Sequence, residues 1–253
     1  MLDFLLAQMK AAGEICTAEQ QQLVDGDIEH KSGKEIVTRV DRQVERFLRE
    51  RINETYPDHG IIGEEDGTTK GDARCCWIID PIDGTTSYLF GQSYYSISVA
   101  LRVDGAYTVA SVYAPALGQL FHAERGCGAF LNGSPISVSK RVKLEEAVLS
   151  TGFACLRSGW EHNNLTYFNR LVPRILDIRR CGSAAIDMAY VACGKYDGFW
   201  ELNLNIYDIA AGVLLIEEAG GMVCDFRGGD AYPEEGIVAA NKELTAAILP
   251  WLE

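Results

Sequence analysis

One stretch of eight residues, Asp80-Pro81-Ile82-Asp83-Gly84-Thr85-Thr86-Ser87, constrains this chain more than any other. It places two carboxylates, a proline, a glycine and three hydroxyls directly after the apolar run Trp77-Ile78-Ile79, which is typical of a buried strand. The sequence therefore predicts a strand that ends in an acidic turn. Because a buried strand holds its end rigidly, both carboxylates can be aimed at one divalent cation.

The second half of this stretch is suited to phosphate. Gly84 allows another group to approach closely, and a helix that begins at Thr85 would present free backbone N–H groups, which attract phosphate. The alternative is an ordinary turn, because an Asp-x-x-Asp sequence followed by glycine is more often a hairpin or a helix cap than a metal site. Taken alone, the stretch leaves both interpretations open.

Acidic residues also stand at the ends of other predicted elements. A short apolar strand, Ile61-Ile62-Gly63, is closed by three consecutive acids, Glu64-Glu65-Asp66, and a second short strand, Gly198 to Glu201, also ends in an acid. A solvated loop would tolerate the three acids, but a cation relieves their repulsion more effectively. The repetition of strands followed by acids favours one shared cation site.

Two further acids are predicted at helix starts. Asp41 is expected at the N-cap of an amphipathic helix that runs to Tyr56, and Asp208 in the first turn of a helix from Tyr207 to Ala219. A plain cap explains Asp41 and the helix dipole explains Asp208 when each is considered alone. Lys31, in the predicted mobile loop Lys31-Ser32-Gly33-Lys34, is by itself a solvated lysine.

Composition excludes several classes of protein. The 253 residues are 47% hydrophobic, enough for a substantial core, and a net charge of −13 argues against nucleic acid or an anionic membrane as a partner. The N-terminal segment from Met1 to Ala18 has the pattern of an amphipathic helix rather than a signal peptide or membrane span. The eight scattered cysteines favour reduced thiols in a cytoplasmic protein rather than a zinc site.

The order of elements predicts an α/β (α+β) protein in one continuous fold. Residues 96 to 124 form an antiparallel meander, and Gly126 to Ser134 a glycine-rich turn region. After residue 145, strands and helices alternate, with helices expected over Asn164 to Leu176 and from Cys181 to Cys193. We therefore predict a single domain over 1–253, with possible subdomains 1–145 and 146–253.

Three motifs in this order and spacing resemble one known family. Gly63-Glu64-Glu65, then Trp77 to Thr86, then Tyr207-Asp208-Ile-Ala-Ala-Gly212 with Glu217 to Gly221, are similar to the inositol monophosphatase family. That family belongs to the lithium-sensitive, magnesium-dependent phosphatases, which also include fructose bisphosphatases and nucleotide 3′-phosphatases. The resemblance implies a layered αβαβα sandwich, usually a homodimer, and a small phosphate monoester as the substrate.

The resemblance also implies roles for individual residues. The implied metal ligands, for two or three Mg²⁺ with Mn²⁺ as a possible substitute, are Glu64, Asp80, the carbonyl of Ile82, Asp83 and Asp208. The implied catalytic residues that orient the attacking water are Asp41 and Thr85, with Glu64 acting on a third ion. The implied phosphate-binding residues are Gly84, Thr85 and Thr86. The residues implied to contact substrate hydroxyls are Gly182, Ser183, Ala184 and Glu201, together with Asp83 and Asp208, and Lys31 lies in a mobile loop over the site.

The chain departs from the family pattern at Ser87, where most relatives have asparagine, and at Tyr207, where they usually have tryptophan. The stretch Asn203-Leu204-Asn205 beside Asp208 differs as well. We expect a phosphomonoesterase that acts on a polyol phosphate such as inositol 1-phosphate. The alternatives are fructose 1,6-bisphosphate, 3′-phosphoadenosine 5′-phosphate or histidinol phosphate as substrate, and, in another class, a non-catalytic protein that binds a metal or a sugar phosphate.

Overall fold

The structure, a computed structural model, describes residues 1–23, 28–32 and 35–252. The helices in these ranges are α1 (Leu2–Gln20), α2 (Arg39–Thr55), α3 (Thr85–Leu89), α4 (Ala154–Arg157), α5 (Leu165–Leu171), α6 (Ala184–Ala192), α7 (Ile206–Glu218) and α8 (Lys242–Ile248). The strands are β1 (Ile28–Ser32), β2 (Glu35–Thr38), β3 (Gly60–Gly63), β4 (Thr68–Thr69), β5 (Cys75–Asp83), β6 (Ser96–Val103), β7 (Ala106–Ala114), β8 (Gln119–Glu124), β9 (Gly128–Leu131), β10 (Ser134–Pro135), β11 (Val148–Thr151), β12 (Asp177–Arg179), β13 (Gly198–Glu201), β14 (Met222–Cys224) and β15 (Ile237–Ala240).

The strands form two main sheets and one hairpin. The larger sheet has the order β10-β9-β8-β7-β6-β5-β3-β4 and is antiparallel except for the β3–β5 pair. The smaller sheet has the order β12-β11-β13-β15-β14, in which β11 lies parallel to both β12 and β13. Up to Thr38, the described residues contribute the hairpin β1–β2 to this strand inventory. No helix in the described ranges is both long enough and apolar enough to cross a bilayer.

Three hydrophobic clusters hold the sheets and helices in five layers. One face of the larger sheet packs against α1 and α2, through residues such as Trp77 and Leu48. Its other face packs against α6 and α7, which also cover one face of the smaller sheet. The outer face of the smaller sheet packs against α5 and α8, where Trp200 is fully buried. The expected αβαβα sandwich is confirmed.

Strand β5 runs through the centre of the larger sheet and carries the first acids. Its side chains alternate, so Trp77 and Ile79 contact the α1–α2 layer whereas Ile78 contacts the α6–α7 layer. The pairing register with β6 shifts between Asp80 and Asp83, which is the signature of a β-bulge. Three residues apart on a regular strand, the two carboxylates would point to opposite faces. The bulge reverses the alternation, so both can reach the α6–α7 side.

Some element predictions were wrong. The predicted acidic turn after Ile79 is a continuation of β5 to Asp83, because the bulge absorbs the bend without ending the pairing. Asp41 is not the N-cap: Thr38 caps α2, its Oγ1 accepts from Val40 N, and Asp41 lies three positions later in a capping box. The helix expected to Leu176 ends at Leu171, because Pro173 lacks the N–H that would continue it.

Two other segments differ from expectation. The predicted turn region from Gly126 to Ser134 contains β9 and the start of β10, which extend the edge of the larger sheet. In the predicted mobile loop, Lys31 and Ser32 lie in β1, while Gly33 and Lys34 fall outside the described residues. The subdomain division at residue 145 stays a proposal. The larger sheet ends at Pro135 and the smaller begins at Val148, but α7 packs against both.

Asn164 joins the ends of two strands in the smaller sheet. Its side chain is fully buried, and its Nδ2 donates to Thr151 Oγ1 (2.7 Å) and to Gly152 O (2.6 Å). Its Oδ1 accepts from Trp200 Nε1 at 2.9 Å. One side chain therefore satisfies three buried polar groups next to the ends of β11 and β13.

We expect Asn164→Ala to lower the free energy of unfolding by about 2–4 kcal/mol, because the substitution leaves buried polar groups without partners. Thermal unfolding followed by circular dichroism checks this, with Asn53→Ala, an exposed asparagine in α2, as the matched control. The control is expected to melt within about 1 °C of the wild type, since surface substitutions have small effects. Equal melting temperatures for the two variants would contradict the account of the network.

Candidate functional site

Three carboxylates from two distant parts of the chain converge in one cavity. Asp80 and Asp83 come from β5 and Asp208 from the first turn of α7, and one carboxylate oxygen of each lies within 4.8 Å of the others. Asp80 is 1% and Asp83 8% exposed, so water can solvate them only weakly. This cluster is the arrangement that the acidic stretch predicts.

The N-termini of two helices hold two of these acids in place. Asp83 Oδ2 accepts from Ser183 Oγ (2.5 Å) and Ala185 N (2.7 Å) at the start of α6. Asp208 Oδ2 accepts from Asn205 N (2.5 Å), the N-cap of α7. The positive end of each helix dipole adds to the stabilisation of these carboxylates. Both side chains are therefore fixed by the fold without a metal.

The electrostatics of the cluster favour a cation. The pKa of Asp80 lies well above its ordinary value because of burial and then the charges of Glu64, Asp83 and Asp208. The pKa of Asp208 is also raised well above its ordinary value, chiefly by burial and the charge of Asp83, and burial raises the pKa of Asp83 to about 6. Asp80 Oδ1 is buried and has no hydrogen-bond partner among the described residues. A bound divalent ion would satisfy this oxygen and offset the repulsion.

Glu64 lies beside this cluster, at the end of β3. Its backbone N donates to Ile79 O at 3.2 Å, which joins the end of β3 to β5, and Glu64 lines the same cavity. The next two acids are absent from the cavity lining. Their backbone N–H groups donate to the carboxylate of Glu45, at 2.8 Å from Glu65 and 2.9 Å from Asp66. The run of three acids therefore contributes one residue, Glu64, to the site.

Glu45 itself was not predicted as a structural residue of the site. It is fully buried on α2 and forms an ion pair with Arg49 (Oε1 to Nε, 2.7 Å). The carboxylate of Glu45 accepts hydrogen bonds from Arg49 and from the two loop amides, and it therefore fixes the loop that follows Glu64. Gly63 is required there, since a Cβ would lie 2.1 Å from Glu45 Oε1.

Asp41 and Thr85 form a hydrogen-bonded pair at the edge of the cavity. Thr85 Oγ1 lies 3.1 Å from Asp41 Oδ1 and 3.1 Å from the carbonyl oxygen of Ile82, so its single proton can be given to only one of them at a time. Asp41 Oδ2 accepts from Thr38 N (2.8 Å) and Thr38 Oγ1 (2.6 Å). Burial raises the pKa of Asp41 to about 6. A carboxylate of this kind can hold the Thr85 hydroxyl in a fixed orientation.

The backbone after Asp83 turns sharply at Gly84. This residue has a φ of +91°, and a Cβ there would lie 2.9 Å from Tyr94 O and 3.1 Å from Gly182 O, so only glycine fits. Helix α3 begins at the next residue, and its first intrahelical bond joins Tyr88 N to Gly84 O (3.0 Å). Thr85 and Thr86 thus stand at a helix start that lines the cavity.

A second group of predicted residues lines the same cavity. Gly182, Ser183, Ala184 and Glu201 line it, and the cavity volume is about 330 Å³. Glu201 Oε1 accepts from Ala154 N at 3.0 Å, and burial raises the pKa of this carboxyl to about 7. Gly152 makes room for the carboxyl, because a Cβ there would lie 2.2 Å from Glu201 Oε2.

The structure thus brings nearly every predicted site residue to one place. Asp41 does not line the cavity and reaches it through Thr85. The side chain of Lys31 lies outside the described residues. Lining residues that the sequence did not indicate include Arg157, Ser158, Arg180 and Asp187. Tyr207 and the stretch from Asn203 to Asn205, where the chain departs from the family pattern, also line the cavity, and Asn203 has a positive φ of 62°. Only Asp187 gave a usable signal: it is the one charged residue in the apolar sequence of α6.

Comparisons with known proteins agree with this geometry. The family model described as the inositol monophosphatase family matches residues 1–253. The chain is 40% identical to the Nus factor SuhB of Pseudomonas aeruginosa, over 100% of this chain and 96% of that protein. It is 39% identical to the inositol-1-monophosphatase of Rhizobium meliloti, over 98% of this chain and 94% of that protein.

Solved structures show the same fold. The extragenic suppressor protein suhB from Bartonella henselae matches with a TM-score of 0.92 at 33% identity, over 99% of this chain and 97% of that chain. An inositol monophosphatase from Anabaena matches with a TM-score of 0.90 at 34% identity, over 99% of this chain and 94% of that chain. With a family model matched over its full length and relatives of this identity, the chain belongs to the inositol monophosphatase family, whose phosphatase chemistry depends on a metal.

Proposed function

We propose that this protein is a Mg²⁺-dependent phosphomonoesterase that hydrolyses a small polyol phosphate, with inositol 1-phosphate the first substrate to test. The observation that carries the proposal is the convergence of Asp80, Asp83 and Asp208 next to the hydroxyl of Thr85. Membership of a phosphatase family supports it. Relatives of similar identity carry different names, so the substrate is argued from the cavity.

The residues fit a hard divalent cation. The donors at the cluster are all oxygen atoms, which suit Mg²⁺ or Mn²⁺ and give no thiolate or imidazole for zinc. In the proposal, Glu64, Asp80, the carbonyl of Ile82, Asp83 and Asp208 hold two or three ions. When bound, Mg²⁺ neutralises the phosphate charge, lowers the pKa of water and stabilises the departing alkoxide.

In the proposal, other residues of the chain orient the attacking water and bind the phosphate. The pair of Asp41 and Thr85 orients the attacking water, because the Thr85 hydroxyl donates to Asp41 or to the carbonyl of Ile82 and its oxygen can still accept from water. Backbone N–H groups from Gly84 to Thr86 bind the phosphate oxygens at the start of α3. Attack by water needs no covalent phosphoenzyme.

The second group of lining residues favours a neutral, hydroxylated leaving group. In the proposal Gly182, Ser183, Ala184 and Glu201 contact it. A carboxyl group accepts hydrogen bonds from hydroxyls but repels a second phosphate, which disfavours fructose 1,6-bisphosphate and 3′-phosphoadenosine 5′-phosphate. A cytoplasmic homodimer without nucleic-acid or membrane partners completes the proposal.

The function predicts that Asp83→Asn lowers Mg²⁺-dependent phosphate release by more than about 100-fold, because it removes a charged ligand from the centre of the cluster. Initial rates over a panel of phosphomonoesters, with and without Mg²⁺, check this. Asp104→Asn is the matched control, since Asp104 is exposed and pairs with Arg74 on the surface. The control is expected to keep the wild-type rate, and circular dichroism should show a folded Asp83→Asn protein. Near wild-type turnover in Asp83→Asn would refute the metal assignment.

The raised pKa values predict how pH affects the stability of the metal-free protein. Burial raises the pKa of Asp41 and Asp83 to about 6 and that of Glu201 to about 7, from ordinary values near 4. Between about pH 4 and pH 7 the folded state therefore binds more protons than the unfolded state, and the free energy of unfolding falls as pH rises. Above this window Asp41, Asp83 and Glu201 are charged in the fold, and the charged form of Asp83 is the better ligand for a cation.

We therefore expect Mg²⁺ to raise the melting temperature more at pH 8 than at pH 5, because protonated carboxyls are poor ligands. Differential scanning fluorimetry at pH 5, 6, 7 and 8, with and without MgCl₂, measures this shift, and Asp83→Asn should show a smaller shift at pH 8. A Mg²⁺-induced shift that is equal at all four pH values would show that the ion does not bind at the acidic cluster.

A further inference from the structure

Asp187 is a buried acid in the cavity wall to which neither the fold nor the proposed chemistry assigns a task. It lies on α6, is 2% exposed, and is surrounded in the helix sequence by alanine, isoleucine and methionine. Its Oδ1 has no hydrogen-bond partner in the part of the chain that the structure describes. Asp187 also lines the cavity that contains the acidic cluster.

Position on the helix places Asp187 next to the substrate end of the cavity. Ser183 caps α6 and donates to Asp83, and Asp187 follows four residues later, with its N–H bonded to Ser183 O at 3.1 Å. Residues four apart share one face of a helix. Asp187 therefore continues, one turn deeper, the face that Ser183 presents to the site, and the charge of Glu201 acts on it.

Neighbouring groups bind the carboxyl of Asp187 but leave its Oδ1 without a hydrogen-bond partner among the described residues. The thiol of Cys181 hydrogen-bonds to the Asp187 carboxyl, and Cys181 Sγ also lies 3.0 Å from Tyr196 Oη. The pKa of Asp187 lies well above its ordinary value, mainly because of burial. A buried oxygen without a partner destabilises a fold, so its presence here needs an explanation.

We propose that Asp187 is a substrate-binding residue whose carboxyl exchanges a hydrogen bond with a hydroxyl of the leaving group, while Glu201 binds a second hydroxyl. The inference rests on the proposed phosphatase function and specifies its substrate class. The leaving group carries at least two free hydroxyls besides the ester oxygen. Monophosphates of polyols satisfy this, and aryl phosphates do not.

The chemistry of the two carboxyls favours hydroxyls over charged groups. A hydroxyl can donate to a carboxylate and accept from a carboxylic acid, so it bonds with either protonation state. A second phosphate would meet these two acidic groups directly, whereas Arg157 and Arg180, which line the same cavity, are exposed.

Asp187→Asn tests the inference through a comparison of two substrates. For the Asn variant we expect kcat/KM to fall at least 10-fold for inositol 1-phosphate, mainly through KM, and to stay within twofold for phenyl phosphate, which has no hydroxyl for Asp187 to bind. Asp104→Asn is the neutral control and should change neither substrate. Equal losses for both substrates would identify a structural role and overturn the proposal, as would no loss for either.

A measurement on the wild-type protein removes the dependence on the variant's folding. Among the monodeoxy analogues of inositol 1-phosphate, at least two should react 10-fold or more slowly than the parent, one for each carboxyl. Rates within twofold of the parent for the whole series would overturn the proposal. If the wild type hydrolyses phosphomonoesters but no polyol phosphate, the proposed substrate class fails; if it hydrolyses polyol phosphates and Asp187→Asn keeps the wild-type selectivity, the role of Asp187 alone fails.

Discussion

Repulsion between buried carboxylates is the constraint on which the rest of this structure depends. Asp80, Asp83 and Asp208 lie close together in a poorly solvated cavity, where ionised acids are unstable without a counter-charge. Acids on mobile loops would separate. Here they are held by a central strand and by helix starts, so the fold itself keeps them together.

Three of the acids are held in the same way, by a backbone N–H at the N-terminus of a helix. Asp41 at α2, Asp83 at α6 and Asp208 at α7 each bind a backbone N–H at the start of a helix through Oδ2. One oxygen is thereby fixed by the backbone, and the other is left for another partner. In Asp41 the second oxygen accepts from Thr85. The helix-cap interpretation and the functional interpretation of these acids are therefore compatible, because one carboxylate performs both tasks.

Much of the fold and site could be predicted because the signals are local or belong to a family pattern. Short apolar runs located the central strands, and the spacing of the acidic motifs indicated which residues would meet. The β-bulge between Asp80 and Asp83 could not be predicted, since it depends on pairing with β6 and leaves no residue signature. The capping box that places Thr38 before α2 was missed because Asp41 also resembles a cap. Glu45 was missed because the loop amides that it binds are distant in sequence. Asp187 is the one charged residue in the apolar sequence of α6, but no motif connected it to the site.

The acids proposed to bind substrate differ from the acids of the metal cluster in the charges that surround them. At the metal end the acids converge, and their mutual charge demands a cation. Glu201 and Asp187 are also buried, but the charges of Arg157 and Arg180 lower the pKa of Glu201 in part, and the charge of Arg180 lowers that of Asp187 in part. In the proposed function, one cavity thus binds positive ions and, next to them, the neutral hydroxyls of the substrate.

The most direct test of the account is a crystal structure of the protein soaked in MnCl₂, with anomalous differences recorded near the manganese absorption edge. The account predicts at least one strong anomalous peak within coordination distance, about 2.1–2.3 Å, of carboxylate oxygens from Asp80, Asp83 and Asp208. Peaks only at surface carboxylates, with none among these three side chains, would contradict it.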